Sequence, residues 1–258
     1  MINIPVGDFV IVLLIFLRIT AAFFASPIYN HKSIPILVKV FLSLVIAYIV
    51  FLTLDKSKIT VEFTLGWIFA NAIKEIITGL ILGFMLNFVF YGIEFAGSII
   101  GLNMELSMAE SLNPVDGTST NEIGQVLFLA SLMLFFLIDG HHYIISALVY
   151  SFSIVHIGVF AINQSVYQLL VKYSAAVFII AVKIASPIMV SYFLIYLAEG
   201  IIAKVIPQMQ VFFVVQPLVV GLGFILLVAL APVYLYVIKY LLKGYEANLM
   251  SIIRAMGQ

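Results

Sequence analysis

Six ionisable side chains lie within long apolar stretches of the chain, where an unpaired charge is costly. They are Arg18, Lys74, Glu75, Glu94, Lys183 and Glu199. An ionisable group inside a membrane-length helix is normally paired or functional. We therefore interpret these residues as buried charges that serve assembly. Near the end of a segment, as at Glu199, the alternative is a side chain that reaches out to the polar boundary.

Two of these charges are neighbours in the sequence, Lys74 and Glu75. Adjacent residues point to different faces of a helix, so they cannot pair with each other there. We expect their partners on other helices, in this chain or in another. We expect Arg18 to be structural rather than catalytic, meeting a carboxylate or backbone carbonyls, because a charge at a helix centre costs about 2.5 to 3.5 kcal/mol.

Adjacent imidazoles occur at His141 and His142, close to Asp139. Together they could form a metal or proton site, but such residues are more often interfacial or hydrogen-bonded, and we predict no metal and no cofactor. The chain has no cysteine, no His-Glu-x-x-His and no phosphate-binding glycine loop, and Gly97 to Gly101 does not match the Gly-x-Ser-x-Gly turn of a nucleophile. We therefore predict that the protein is not an enzyme.

Small residues recur at the spacing at which membrane helices pack closely. Gly79 and Gly83 are four residues apart, as are Gly97 and Gly101. Such pairs let two helix backbones approach each other in lipid. We expect tight helix packing at both pairs, although the spacing does not identify the partner helix.

The elements that carry these residues must be membrane helices. Hydrophobic residues make up 64% of the 258 residues and charged residues only 9%, and the mean hydropathy is +1.24. A soluble domain usually carries about 25% charged residues. An ordinary soluble enzyme and a disordered chain are therefore excluded. The net charge is zero, so no electrostatic footprint for nucleic acid exists.

Six apolar segments reach the roughly 20 residues that a spanning helix needs. They cover residues 9–28, 36–54, 65–90, 123–160, 175–203 and 205–238. The fourth becomes two if residues 139–142 form a true turn, and Pro187 and Pro217 could break helices. We predict an all-α polytopic membrane protein with six or seven segments, in a single membrane-embedded domain, residues 1–258.

The most polar part of this apolar chain runs from Leu102 to Glu122. Asn113-Pro114 and Asp116-Gly117 are turn signals within it. No Lys or Arg lies between Lys74 and Lys172, so the acidic residues here have no neighbouring cation in sequence. The segment is either a solvated loop or a functional one. Met104 and Met108 at its start could seal a gap, because methionine is adaptable, or belong to an ordinary core.

Four blocks of residues, in order along nearly the whole chain, resemble the family of the flagellar biosynthetic protein FliR. The blocks are Arg18-Ile19-Thr20 with Ser26-Pro27, Pro35 and Lys39; Asn113-Pro114 to Gly117 with Gly124-Gln125; Asp139-Gly140-His141-His142 with Ser146 to Leu148 and Ser151-Phe152; and Pro207 to Phe213 with Pro217. The chain departs from the family at Gln210, Val215 and Gln216.

This resemblance implies a core subunit of the flagellar type III export gate, in the bacterial inner membrane and the flagellar basal body. In such a gate one chain joins several copies of the subunits FliP and FliQ in a helical assembly of bent hairpins, around a pore that passes unfolded flagellar proteins. A related family serves virulence secretion. Part of the assembly is raised out of the bilayer, so helices of membrane length need not all span lipid.

The resemblance also implies that the polar segment, roughly Leu106 to Glu122, lies in the pore and plugs it. The residues that it assigns to the pore and plug are Met104, Leu106, Met108, Glu110, Asn113, Pro114, Asp116, Gly117 and Glu122. The main alternative function is a secondary transporter of a small solute, which inverted repeats and broken midplane helices would indicate. We find no convincing internal repeat.

Overall fold

The computed structural model describes residues 6–27, 29, 34–54, 64–106, 122–159, 163–206 and 211–257. Over these residues the chain forms seven helices and no strand, which confirms the all-α class. The helices are α1 (Val6–Ala25), α2 (Ile36–Thr53), α3 (Leu65–Asn103), α4 (Glu122–Leu137), α5 (Gly140–Ile154), α6 (Gln164–Val205) and α7 (Val211–Met256).

Five of these helices, α1, α2, α3, α6 and α7, are long and apolar enough to cross a membrane. The bent pair α4 and α5 passes the same test together and counts as a sixth if it forms one broken span. With 16 and 15 residues, each of the two is about 23 Å long, shorter than the roughly 30 Å hydrocarbon layer. The described residues therefore confirm a polytopic membrane protein: the fourth apolar segment is divided into two helices just before Gly140, and five segments, or six with this pair, pass as spans.

Three helices are longer than hydropathy predicts. α3 continues to Asn103 rather than ending at residue 90, α6 begins at Gln164 rather than 175, and α7 continues to Met256 rather than 238. The predicted polar segment therefore begins on the last turn of α3. A charged residue lowers local hydropathy, but glutamate is a good helix former and does not by itself end a helix, so α3 continues through the exposed Glu94.

Neither Pro187 nor Pro217, the two possible helix breaks in the sequence, interrupts its helix. α6 continues through Pro187, and α7 continues through both Pro217 and Pro232. A proline removes one backbone donor, whereas a break in an apolar setting would leave several backbone groups without partners. Continuing the helix therefore costs less than interrupting it.

The chain forms two compact units. The first unit contains residues 1–88, 139–174 and 243–258, and the second contains residues 89–138 and 175–242. The single membrane-embedded domain of the sequence analysis stays a prediction.

The core of the first unit is built around α1, whose side chains Leu14, Ile15, Ile19 and Phe23 are fully buried. α2 packs against α1. The end of α7 also belongs here: Leu249, Ile252 and Ile253 are buried, Tyr173 of α6 hydrogen-bonds Ser251 at 2.8 Å, and Asn163 Nδ2 donates to the Ala255 carbonyl at 2.6 Å.

In the second unit, the end of α3 packs against α4 and α6 through aromatic rings. Phe90 contacts Phe128 and Phe135 edge to face, with ring centroids 5.7 and 5.9 Å apart, and Phe95 meets Phe178 of α6 at 5.7 Å. Edge-to-face pairs at these distances are favourable.

Candidate functional site

The most strongly constrained polar site of the first unit surrounds Arg18 in the middle of α1. Its side chain is fully buried, and its Nε donates to Glu75 Oε2 at 2.5 Å. Both terminal nitrogens donate to the Val155 carbonyl at 3.1 Å, and one also reaches the Ser151 hydroxyl at 3.2 Å. The guanidinium lies over the Phe152 ring, 4.1 Å from its centre. Arg18 thus meets both a carboxylate and a backbone carbonyl.

Glu75 and Lys74 converge on one turn after α5, although they point to different faces of α3. The second oxygen of Glu75, Oε1, accepts a hydrogen bond from the Gly158 amide at 3.0 Å, while Lys74 Nζ donates to the Gly158 carbonyl at 3.0 Å. Gly158 has φ +82°, which an L side chain rarely adopts. The three charges therefore hold the chain between α5 and α6 against α1 and α3.

The other three charges of the predicted assembly set lie at the surface of this chain. Glu94 and Lys183 are exposed, and Glu199 is half-buried. No salt bridge joins them to another residue in the part of the chain that is described. Their burial is therefore a prediction about an assembled complex, and the role of all six charges in assembly stays a prediction.

The predicted packing glycines lie at helix contacts within each unit. A Cβ atom at Gly79 would overlap the Arg18 carbonyl oxygen, and one at Gly83 would overlap the Ala22 carbonyl oxygen, so α1 and α3 approach backbone to backbone. In the second unit a Cβ at Gly97 would overlap Gly124 of α4. Gly101 is buried in α3.

The base of the polar segment belongs to the second unit. Tyr196 of α6 donates to the Asn103 carbonyl at 2.7 Å, Met104 is fully buried, and Glu105 turns the chain with φ +58°. Leu106 is half-buried, and Glu122 is exposed at the start of α4. The remaining predicted plug residues, Met108, Glu110, Asn113, Pro114, Asp116 and Gly117, lie outside the described residues.

Met104 is a packed core residue of this unit. Its side chain lies beside Gly223 of α7, next to the hydroxyl of Tyr192, which donates to the Val219 carbonyl at 2.6 Å. The geometry agrees with the core-packing interpretation of Met104, and a role in the pore stays a prediction.

Asp139, His141 and His142 lie together at the break between α4 and α5. Their ligand atoms are all within 4.8 Å of one another, and His142 Nδ1 is 3.6 Å from Asp139 Oδ1. Zinc with nitrogen ligands at about 2.0 Å would require closer ligand atoms, so these side chains would have to move to hold a metal. Asp139 and His142 are more than two-thirds exposed, which fits an interfacial position equally well.

Sequence reasoning missed the partners of these charges. Ser151, the Val155 carbonyl and Gly158 hold the three charged side chains, and Tyr196 holds the base of the polar segment. A glycine shortly after an apolar helix was the available signal at Gly158, but nothing in the sequence links it to residues more than 80 positions away.

Comparisons with known proteins show which family the sequence matches. The family profile described as "Bacterial export proteins, family 1" matches residues 9–245. The chain belongs to this family. It is 30% identical to the flagellar biosynthetic protein FliR of Bacillus subtilis (strain 168) over 230 residues, 88% of each chain.

Two further FliR proteins give similar values. That of Escherichia coli (strain K12) is 30% identical over 217 residues, 84% of this chain and 82% of its own, and that of Aquifex aeolicus (strain VF5) is 26% identical over 226 residues, 87% of each. The resemblance to the FliR family is thus confirmed, and with the apolar helices it makes this FliR-family chain a membrane-embedded component of flagellar export.

Proposed function

We propose that this chain is a pore-forming core subunit of the flagellar type III export gate, which passes unfolded flagellar proteins across the bacterial inner membrane. Its partners would be the membrane subunits FliP and FliQ, in one hetero-oligomer. The family and the relatives support export, and the surface of α6 supports the assembly.

The observation that best supports assembly with partner subunits is an exposed apolar face on α6. Between Phe178 and Val205 exposed apolar side chains recur along the helix, and both of these end residues are more than 60% exposed. The stretch is about 40 Å long, and the hydrocarbon layer is about 30 Å thick. Lipid alone could cover it only if the helix tilted by about 40°, the upper end of the usual range.

Lys183 lies within that face and is itself exposed. A lysine that faces lipid is costly, by about 2.5 to 3.5 kcal/mol at the centre of a bilayer and by less towards its boundary, and Lys183 lies closer to one end of the stretch. A neighbouring protein helix that offers a carboxylate or carbonyl would remove this cost and also cover the apolar side chains. The face therefore fits protein partners better than lipid.

The experiment is co-expression with FliP and FliQ, purification through a tag on this chain, and mass measurement of the intact complex. We expect a defined complex with several copies of the partners, and aggregation or degradation of the chain expressed alone. Lys183→Glu should reduce the yield of the complex, because it places the opposite charge at the interface. Lys172→Glu is the matched control, since Lys172 is an exposed lysine of the same helix outside that stretch. A stable, monodisperse monomer that co-purifies with neither partner would contradict the proposal.

A further inference from the structure

Among the described residues, the charges around the turn after α5 do not balance. Arg18 and Lys74 are cationic, and among the described residues Glu75 is the one carboxylate at this turn, where it pairs with Arg18 and shares Gly158 with Lys74. The half-buried ammonium of Lys74 makes a single hydrogen bond within the described part of the chain, to the Gly158 carbonyl at 3.0 Å. An ammonium has three N–H donors, so two of them remain available for a ligand.

A cavity of about 240 Å³ lies beside this ammonium. Its polar lining comes from Asn71, Lys74, His156 and Trp67, and it has no acidic residue in its described lining. About 10 to 15 Å³ of such volume already holds one water molecule, so the cavity has room for a ligand larger than water. Asn71 Nδ2 uses one of its two N–H groups on the Trp67 carbonyl at 3.0 Å, which leaves the other. The cavity is therefore lined by donors beside a cation that has no carboxylate partner among the described residues.

We propose that Lys74, His156 and Asn71 form a binding site for a phosphate-type oxyanion, either the headgroup of an acidic phospholipid or a free phosphate. Charge-assisted hydrogen bonds from an ammonium to phosphate oxygens are strong, and imidazole and amide N–H groups complete the set of donors. The anion would supply a negative charge that the described residues around Gly158 do not provide. This site does not involve the pore, although its test uses the complex proposed above and rests on that proposal in this respect.

The position of the cavity favours a lipid headgroup as the source. Trp67 lies in the first turn of α3, which begins after Thr64, whose hydroxyl accepts a hydrogen bond from the Trp67 amide at 3.4 Å. Tryptophan is enriched where membrane helices meet the interface, and basic pockets between such helices bind acidic headgroups. Leu65 and Phe69 of the same turns are exposed and apolar, as residues in contact with acyl chains would be.

The chain carries its own reporter, because Trp67 is its single tryptophan. The full-length chain, co-purified with its membrane partners in dodecyl maltoside, is titrated at constant ionic strength with inorganic phosphate or with mixed micelles of phosphatidylglycerol. The emission of a Trp67→Phe complex is subtracted, so that tryptophans of the partners cancel. Phosphatidylcholine micelles and sodium chloride are the controls for lipid without net charge and for a simple anion.

We expect a saturable change in Trp67 emission with phosphatidylglycerol. Lys74→Gln should weaken binding by about tenfold, while its amide still donates to the Gly158 carbonyl. Lys74→Arg should retain most of the affinity, and Lys172→Gln, outside the cavity, should leave binding unchanged. Saturation by inorganic phosphate alone would identify a free anion as the ligand. The proposal is overturned if the wild-type complex shows no saturable response to either probe, or if Lys74→Gln binds as the wild type does.

Discussion

Arg18 Nε lies 2.5 Å from Glu75 Oε2, and both side chains are buried, one on α1 and the other on α3. Because the other oxygen of Glu75 accepts from the Gly158 amide, this one pair connects α1, α3 and the turn after α5. Charges this deep are stable only when each has its partner, since removing one partner leaves the other buried and uncompensated.

Arg18→Ala should therefore destabilise the protein strongly, by about 3 to 5 kcal/mol, and lower the yield of the complex. Arg18→Lys should rescue only in part. A lysine keeps the charge but loses the planar fork that reaches Glu75 and the Val155 carbonyl together. The measurement is the thermal midpoint and the amount of purified complex.

A double variant separates the charge from the space that the side chain fills. Arg18→Met combined with Glu75→Leu should be more stable than Arg18→Met alone, because no unpaired charge is left in the core. Lys172→Met, at an exposed lysine of α6 outside the proposed interface, serves as the surface control. Normal assembly and export of Arg18→Ala would show that the contacts around Arg18 contribute little.

Backbone contact between α1 and α3 gives the second prediction. Gly79→Ala and Gly83→Ala would each drive a methyl group into a carbonyl oxygen of α1, and we expect a loss of about 1 to 3 kcal/mol or more from each. Gly66→Ala and Gly244→Ala are the matched controls, since a Cβ there meets nothing within 4 Å. Alanine is the better helix former by up to about 1 kcal/mol, so the controls should be neutral or stabilising.

Thermal unfolding of the four variants in one detergent tests this prediction. If all four glycine variants shift the midpoint by the same amount, the close approach of α1 and α3 does not explain why glycine is needed at residues 79 and 83.

The apolar segments, the all-α class and the family were predictable from the sequence, because an apolar run of about 20 residues has few other stable structures. The ends of the helices could not be predicted from hydropathy. Beyond residue 238 the mean hydropathy falls, yet Ile238, Leu242, Tyr245, Leu249 and Ile252 are buried at alternating spacings of four and three residues. That spacing is the signal of an amphipathic helix, and it predicts the extension of α7 that hydropathy misses.

The partners of buried charges could not be predicted for a different reason. The cost of burying Arg18 shows that a partner must exist, but it does not say which carboxylate supplies it. Glu75 is 57 positions away and the Val155 carbonyl 137 positions away. Only the packing of helices brings them together, and the sequence of a single chain does not encode that packing in any local pattern.

Tyr29, which lies outside the helices, gives a prediction about how the stability of the fold depends on pH. Burial raises the pKa of its phenol to about 12 from 10, and its ring stacks on Phe23 with centroids 4.3 Å apart. A raised pKa favours the neutral phenol in the folded state, so its contribution to stability is complete below pH 10 and is lost as the pH rises towards 12. The slope in that window is roughly 1.4 kcal/mol for each pH unit at most.

Tyr29→Phe keeps the stacked ring and removes the ionisation. We expect the variant to lose less stability than the wild type between pH 10 and 12, and the difference in phenolate absorbance between the two proteins to titrate near pH 12. A difference spectrum that titrates near pH 10 would mean that the hydroxyl is in contact with water.

The last prediction concerns the polar segment and rests on the proposed plug. Residues 107–121 lie outside the described structure, whereas the base of the segment is held by Tyr196 on Asn103 and by the buried Met104. Deleting residues 109–118 leaves these anchors in place and removes few apolar groups. We therefore expect the complex with FliP and FliQ to assemble in normal yield.

The shortened chain should nevertheless make the membrane leak ions and small solutes. A plug must block ions at rest and give way to an unfolded chain, so its open and closed arrangements can differ by only a few kcal/mol, and losing part of it should tip the balance towards open. The measurement is membrane conductance, or solute sensitivity, of cells that make the shortened chain with its partners. A Gly/Ser replacement of equal length is the control: if it seals the pore and the deletion does not, the bulk of the chain forms the plug rather than particular side chains. Unchanged permeability in a normally assembled complex would make residues 107–121 an exposed loop.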